Sequence, residues 1–155
     1  MNQTIVDDAH HNNITLLFEN NIITATDTFN EMLHKMCFFN ESENYIYFDY
    51  KIFKMIASPM TYEAVSSHLI KTTWEVVSKY DKINIYACLK SISLKEIDKH
   101  KTFILKMISF CSDEFSDKLL KCYLYKTPTI FTQIYSIVSI AIDKETRQKV
   151  QIIKG

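Results

Sequence analysis

Residues 121–153, KCYLYKTPTIFTQIYSIVSIAIDKETRQKVQII, contain the pattern that decides the fold of this protein. The stretch opens with residues 121–125, which are typical of a short strand. Thr127 can then cap a helix whose first residue is Pro128. Apolar side chains recur at helical spacing, and a charged turn leads into a second apolar strand, 150–153. This order predicts two parallel strands joined by a helix.

The same alternation of strands and helices extends upstream. Residues 45–50 and 83–89 are rich in aromatic and β-branched side chains, which predicts two further strands. Helices are predicted over residues 61–78 and from a capping box that begins at Ser93. The sequence therefore predicts an α/β fold with a mixed, largely parallel sheet and crossover helices.

The first 26 residues are the least regular part of the sequence. His10 and His11 lie among asparagines, which favours a solvated loop, and no further ligand stands at the spacing of a metal site. A helix is predicted to begin at Asp27, which can cap it. We expect a single domain over residues 1–155, in which an irregular segment, 1–26, precedes the core, 27–155.

Glycine is almost absent, since Gly155 is the only one. Walker loops, dinucleotide-binding loops and GxSxG elbows all need glycine, so these motifs are excluded. Their absence argues against a nucleotide-dependent enzyme of a common type. The 18 basic and 18 acidic residues balance, and no net charge attracts nucleic acid.

There is no basic leader and no apolar stretch of about 20 residues. We expect a cytoplasmic protein without a transmembrane segment.

The cysteines and histidines give little support to catalysis. Cys37, Cys88, Cys111 and Cys122 form no CxxC pair, which is typical of reduced, buried thiols. Cys111 or Cys122 could form a nucleophile–base pair with His100. His100, however, stands between two lysines, a pattern that indicates a solvated helix face. We expect no enzymatic activity, no cofactor and no metal.

Three segments resemble the Sec14-like (CRAL-TRIO) family of lipid-binding domains, in the family's order and at its intervals. Residues 89–93, LKSIS, resemble the family signature DLKGIS. Residues 123–131, YLYKTPTIF, resemble the segment around NAPWIF, and residues 141–150, AIDKETRQKV, resemble the pattern PFLD..T..KI. The resemblance covers residues 83–153 and extends towards residue 45. It implies a minimal Sec14-like fold.

The sequence departs from these signatures at three positions. Cys88 and Ser91 replace an aspartate and a glycine, and Lys126 replaces an asparagine. Because serine adopts a positive φ less readily than glycine, we expect a negative φ at Ser91. Chains of the family also continue beyond the last matching strand. The resemblance therefore implies a shortened or divergent member, similar to BCH domains.

The resemblance also implies a lipid site. In relatives that bind phosphatidylinositol, an acidic residue before the second strand and a threonine and a lysine of the third segment hold the headgroup. The matching residues are Asp117, Thr146 and Lys149. The apolar lining is expected to include Trp74, Ile104, Ile108, Phe131, Ile134 and Val138. We expect a lipid or fatty-acid ligand, a phosphoinositide among the candidates, and peripheral contact with membranes.

A protein-interaction module is the alternative hypothesis. Residues 130–142 are apolar nearly all round, so a protein partner or a second copy in a homodimer would cover them. The bias towards isoleucine, lysine, asparagine, phenylalanine and tyrosine is typical of AT-rich genomes. Large DNA viruses and some protists have such genomes, so a viral origin is one hypothesis. The sequence leaves lipid binding and protein interaction both open.

Overall fold

A six-stranded sheet forms the centre of the computed structural model, which describes residues 2–5 and 9–154; residues 1, 6–8 and 155 lie outside it. The strands are β1 (Asn2–Ile5), β2 (Cys37–Phe39), β3 (Tyr45–Asp49), β4 (Ile83–Cys88), β5 (Leu119–Tyr125) and β6 (Val150–Lys154). Their order is β1-β6-β5-β4-β3-β2, and every neighbouring pair is parallel except β2 with β3. The prediction of a mixed, largely parallel α/β sheet is confirmed.

Helices connect the strands. They are α1 (Ala9–Glu19), α2 (Phe29–Met36), α3 (Tyr50–Ile56), α4 (Tyr62–Tyr80), α5 (Leu94–Lys99), α6 (Lys101–Phe115), α7 (Phe131–Val138) and α8 (Lys144–Gln148), and a 3-10 turn, Ser139–Ala141, follows α7. Among the described residues, none of the helices combines the length and the apolar composition needed to cross a bilayer.

Both faces of the sheet are buried, and side chains alternate between the faces along each strand. On β4, Tyr86 packs in a cluster with Ile14 and Phe18 of α1. The next residue, Ala87, belongs to the larger core on the other face, which is formed mainly with α2 to α7. Parallel strands need cover on both faces. Helix α1 is therefore a structural part of the fold.

The prediction of an irregular segment over residues 1–26 is wrong where the structure describes it. Asn2–Ile5 pairs in parallel with β6, and α1 follows. His11, which was predicted to lie in a solvated loop, is buried, and its Nδ1 shares a hydrogen bond of 2.6 Å with the Tyr125 hydroxyl. His11, Ile14 and Phe18 stand at helical spacing. This period is easily missed because histidine counts as a polar residue.

Two predicted helix starts are displaced. Helix α2 is capped by Thr28 and not by Asp27: the Thr28 hydroxyl accepts a hydrogen bond of 3.1 Å from the Glu31 N–H, and the Glu31 carboxylate accepts one of 3.2 Å from the Thr28 N–H. Helix α7 begins at Phe131 and not at Pro128, since the Phe131 N–H donates to the Pro128 carbonyl within a preceding turn.

The backbone at Ser91 has a φ of 68°, so the expectation of a negative φ there is wrong. Lys126, in the loop after β5, also has a positive φ, of 57°. Ser91 stands where the family signature has glycine and Lys126 where it has asparagine, which are residue types that adopt this left-handed conformation readily. The two loops thus adopt a left-handed conformation at residue types that favour it less.

Replacement of Ser91 by glycine is expected to stabilise the protein by about 0.5 kcal/mol. The relief of left-handed strain, about 1–2 kcal/mol, exceeds the added entropy of the unfolded chain, about 0.4–1 kcal/mol. The measurement is the free energy of unfolding in urea. Ser93→Ala is the control, because it removes the hydroxyl that caps α5 and should cost about 1 kcal/mol. A loss of stability in Ser91→Gly would contradict the role of φ at this position.

Candidate functional site

An apolar cavity of about 370 Å³ lies between the sheet and the helices of the larger face. Its wall includes Ile85 and Ala87 from β4, Ile104 from α6 and Ile134 from α7. Most of the remaining wall is also aliphatic or aromatic. The volume falls within the range of small-molecule sites, roughly 300–1,000 Å³. A cavity of this composition suits an apolar ligand.

Five of the six residues that were predicted to form an apolar lining contribute to this wall. They are Ile104, Ile108, Phe131, Ile134 and Val138. Trp74 is not part of the wall: 44% of its surface is exposed, and its ring packs edge-on against Phe115 at a centroid distance of 4.8 Å. Because Phe115 itself lines the cavity, Trp74 lies behind that wall.

Two tyrosines of the cavity wall carry buried hydroxyls. The hydroxyls of Tyr50 and Tyr135 are buried and have no hydrogen-bond partner among the described residues, and both residues line the wall. Burial raises the pKa of Tyr50 to about 12 and also raises the pKa of Tyr135. An unpaired buried hydroxyl costs about 1–3 kcal/mol. The sequence pattern did not single out these tyrosines, because each stands within an apolar stretch that predicts only core.

The residues predicted to hold a headgroup lie near the part of the cavity wall that contains Ser116. Thr146 lines the wall. The Lys149 ammonium donates a hydrogen bond of 2.6 Å to the Ser116 carbonyl and lies 3.5 Å from the Glu145 carboxylate. Asp117 follows Ser116 and is exposed. The structure thus brings Thr146 and Lys149 to one region, with Asp117 in the adjoining turn.

Asp143 fixes the position of this region. Its carboxylate accepts a hydrogen bond of 2.7 Å from the Thr146 N–H and caps α8, while its own N–H donates to the Ser112 hydroxyl at 3.2 Å. Hydrogen bonds from Thr146 lower the pKa of the Asp143 carboxyl. Since Ser112 belongs to α6 and lines the cavity, this cap connects α8 to the cavity wall.

His100 is buried, so the prediction that it lies on a solvated face is wrong. It stands at the break between α5 and α6, where its Nδ1 forms a short hydrogen bond with the Tyr62 hydroxyl and its ring packs against Phe53.

Cys111 and Cys122 line the apolar cavity, and burial raises their pKa values to about 11 and about 12. Such thiols are poor nucleophiles at neutral pH. The described part of the chain also contains no cluster of three or more candidate metal ligands.

Comparison with known proteins points to one family. Residues 71–155, more than half of the chain, match the family model of the CRAL/TRIO domain. The crystal structure of Sfh5 is similar to 84% of this chain, with a TM-score of 0.68 and a sequence identity of 15%. This chain corresponds to 51% of the Sfh5 chain, about half of its length. No curated protein sequence matches.

The free energy of unfolding is expected to decrease as the pH falls from about 7 to about 5. Burial lowers the pKa of His100, assisted by the charge of Lys99 and opposed by Glu96, and burial also lowers the pKa of His68. In this pH range the unfolded chain therefore binds protons that the folded chain does not. The contribution of these two histidines to the free energy of unfolding is complete above the ordinary pKa of histidine and is lost as the pH falls below it.

Urea titrations at several pH values measure this effect. The variant His100→Gln should be less stable at neutral pH, because the bond to Tyr62 is altered, but its stability should depend less on pH than that of the wild type. Tyr62→Phe is the comparison, because it removes the same hydrogen bond but keeps the imidazole, so its stability should depend on pH as that of the wild type does. An unchanged slope against pH in His100→Gln would contradict the assignment.

Proposed function

Because this chain belongs to the CRAL/TRIO domain family, we propose that it binds a lipid and that the apolar cavity holds an acyl chain. Proteins of this family bind lipids and are generally not enzymes. The observation that carries the proposal is the composition of the cavity wall, which is formed by aliphatic and aromatic side chains from the sheet, α6 and α7. Each methylene that moves from water into such a cavity contributes about 0.8 kcal/mol.

The unpaired hydroxyls of Tyr50 and Tyr135 supply hydrogen-bond donors for the polar part of the ligand. Both phenols are protonated at neutral pH, since the ordinary pKa of tyrosine is about 10 and burial raises the pKa of both residues. A carboxylate, an ester carbonyl or a phosphate oxygen would accept a hydrogen bond from them. Binding would then remove the cost of a buried hydroxyl without a partner.

We further propose that Asp117, Thr146 and Lys149 hold the headgroup, with a phosphoinositide as the preferred class. Lys149 supplies a point charge for phosphate, and the Thr146 hydroxyl and the Asp117 carboxylate can bond inositol hydroxyls. The 3.5 Å separation of Lys149 from Glu145 is long for an ion pair between these groups. A phosphate can therefore replace this contact at little cost.

Protein interaction through residues 130–142 has less support. Phe131 and Ile134 are buried, and the exposed residues of this segment are mostly polar. Ile140, which is 76% exposed, is the exposed apolar side chain there. The helix is therefore amphipathic, and the surface that a partner or a second copy would cover is small. We retain self-association as the second candidate.

The variant Val138→Phe is expected to bind fatty acids about tenfold more weakly than the wild type. Val138 lines the cavity, so the larger phenylalanine side chain fills a volume that about two methylenes of the ligand would otherwise occupy. The loss of two buried methylenes weakens binding by about tenfold. Fluorescence titration with a labelled stearate measures the affinity. Ile140→Phe is the control, because it adds a ring two residues away at an exposed position. Absence of binding by the wild type, or equal loss in both variants, would contradict the proposal.

The variant Lys149→Gln is expected to lose most of the preference for phosphatidylinositol over phosphatidylcholine, which should fall by about three- to tenfold. A charge-assisted hydrogen bond contributes about 1.5–3 kcal/mol, and partial screening by solvent and salt reduces this contribution. The preference is measured as lipid taken up from mixed vesicles. Lys144→Gln, at an exposed lysine that begins the short helix α8 just before Lys149, is the control. If both variants keep the wild-type preference, Lys149 does not hold the headgroup.

A further inference from the structure

Three adjacent parallel strands each end one or two residues before a lysine. Lys51 follows β3, Lys90 follows β4 and Lys126 follows β5. The last residues of these strands are paired with one another in register. The sheet therefore brings the three lysines to its carboxyl edge, where α/β proteins commonly bind ligands.

All three lysines line one pocket of about 860 Å³, with both polar and apolar walls, between the C-terminal end of α1 and the loop before α7. Four threonines line it as well: Thr15, Thr127, Thr129 and Thr132. Phe131 is the residue that this pocket shares with the apolar cavity. The two sites are thus neighbours with different chemistry.

The pocket carries an excess of positive charge. Lys51 forms an ion pair of 2.7 Å with the buried Asp49 and donates to the Phe18 carbonyl at 2.9 Å, which holds it in place. Lys90 and Lys126 are exposed, and neither forms an ion pair within the part of the chain that the structure describes. Glu19 is the acidic residue in the lining.

Cys88, the last residue of β4, lines the pocket together with the three lysines. Burial raises the pKa of its thiol and the charge of Asp49 raises it further, whereas the charges of Lys51 and Lys126 act to lower it. The positive φ values at Ser91 and Lys126 shape the loops that carry the lysines. Thr132 stands in the first turn of α7, and Thr129 stands in the turn that precedes this helix.

We propose that this pocket binds a phosphate-bearing anion. Lys90 and Lys126 supply charge, and the hydroxyls of Thr127 and Thr129 donate hydrogen bonds to phosphate oxygens. The pocket lies at the carboxyl edge of the sheet, whereas Thr146 and Lys149 precede β6 at the amino edge. It is therefore a second anion site, separate from the headgroup site proposed above. Either a soluble phosphate compound or the headgroup of a phosphomonoester lipid can supply this chemistry.

Calorimetric titration with pyrophosphate at low salt tests the proposal. The wild type is expected to bind, and the double variant Lys90→Gln/Lys126→Gln is expected to bind at least about tenfold more weakly. The matched control is Lys101→Gln/Lys106→Gln, which removes the same charge from exposed positions on α6. It should bind as the wild type does.

A second arm uses phosphatidylcholine vesicles with and without phosphatidic acid, which carries a phosphomonoester. Pyrophosphate binding alone would support a soluble ligand, and vesicle binding that depends on phosphatidic acid and on Lys90 and Lys126 would support a lipid source. No binding in either arm, or equal binding by the two double variants, overturns the proposal.

Stearate binding by Lys90→Gln/Lys126→Gln should equal that of the wild type. The anion site can therefore fail without affecting the acyl-chain proposal.

Discussion

The structure depends on the need to cover both faces of a largely parallel sheet. On one face, α1 covers a layer of tyrosines, and His10 and His11 share hydrogen bonds with the hydroxyls of Tyr86 and Tyr125. On the other face, the core is formed mainly with α2 to α7, and these helices leave an apolar cavity above the strands. The cavity is therefore a product of how the second face is covered.

The central strands could be predicted because their residues follow simple rules. The segments 83–89 and 150–153 are short, apolar and bounded by polar turns, and the structure places β4 and β6 there. Helix α1 could not be predicted by those rules, because its buried face includes His11, whose burial depends on the hydroxyl of Tyr125, a residue distant in the sequence. The prediction that His100 lies on a solvated face failed for a related reason: His100 stands at the break between α5 and α6, where its ring is buried.

The candidate site was predictable to different degrees. Helical spacing places Ile104 and Ile108 on one face of α6, and both line the cavity. The same reasoning fails for Trp74, because spacing within α4 does not reveal that the Trp74 ring packs against Phe115, which lines the cavity, and is not part of the wall itself. The lysines after β3, β4 and β5 are visible in the sequence, but only the strand register shows that they meet at one pocket.

The central claim is that an acyl chain lies on the face of the sheet that α6 and α7 cover. The most direct measurement is the broadening of methyl NMR signals by a fatty acid that carries a nitroxide on its chain. We expect the strongest broadening at Ile104, Ile134 and Val138, and weaker broadening at Ile14 and Ile153, which pack on the opposite face. Broadening centred on Ile14 and Ile153, or spread equally over both faces, would contradict it.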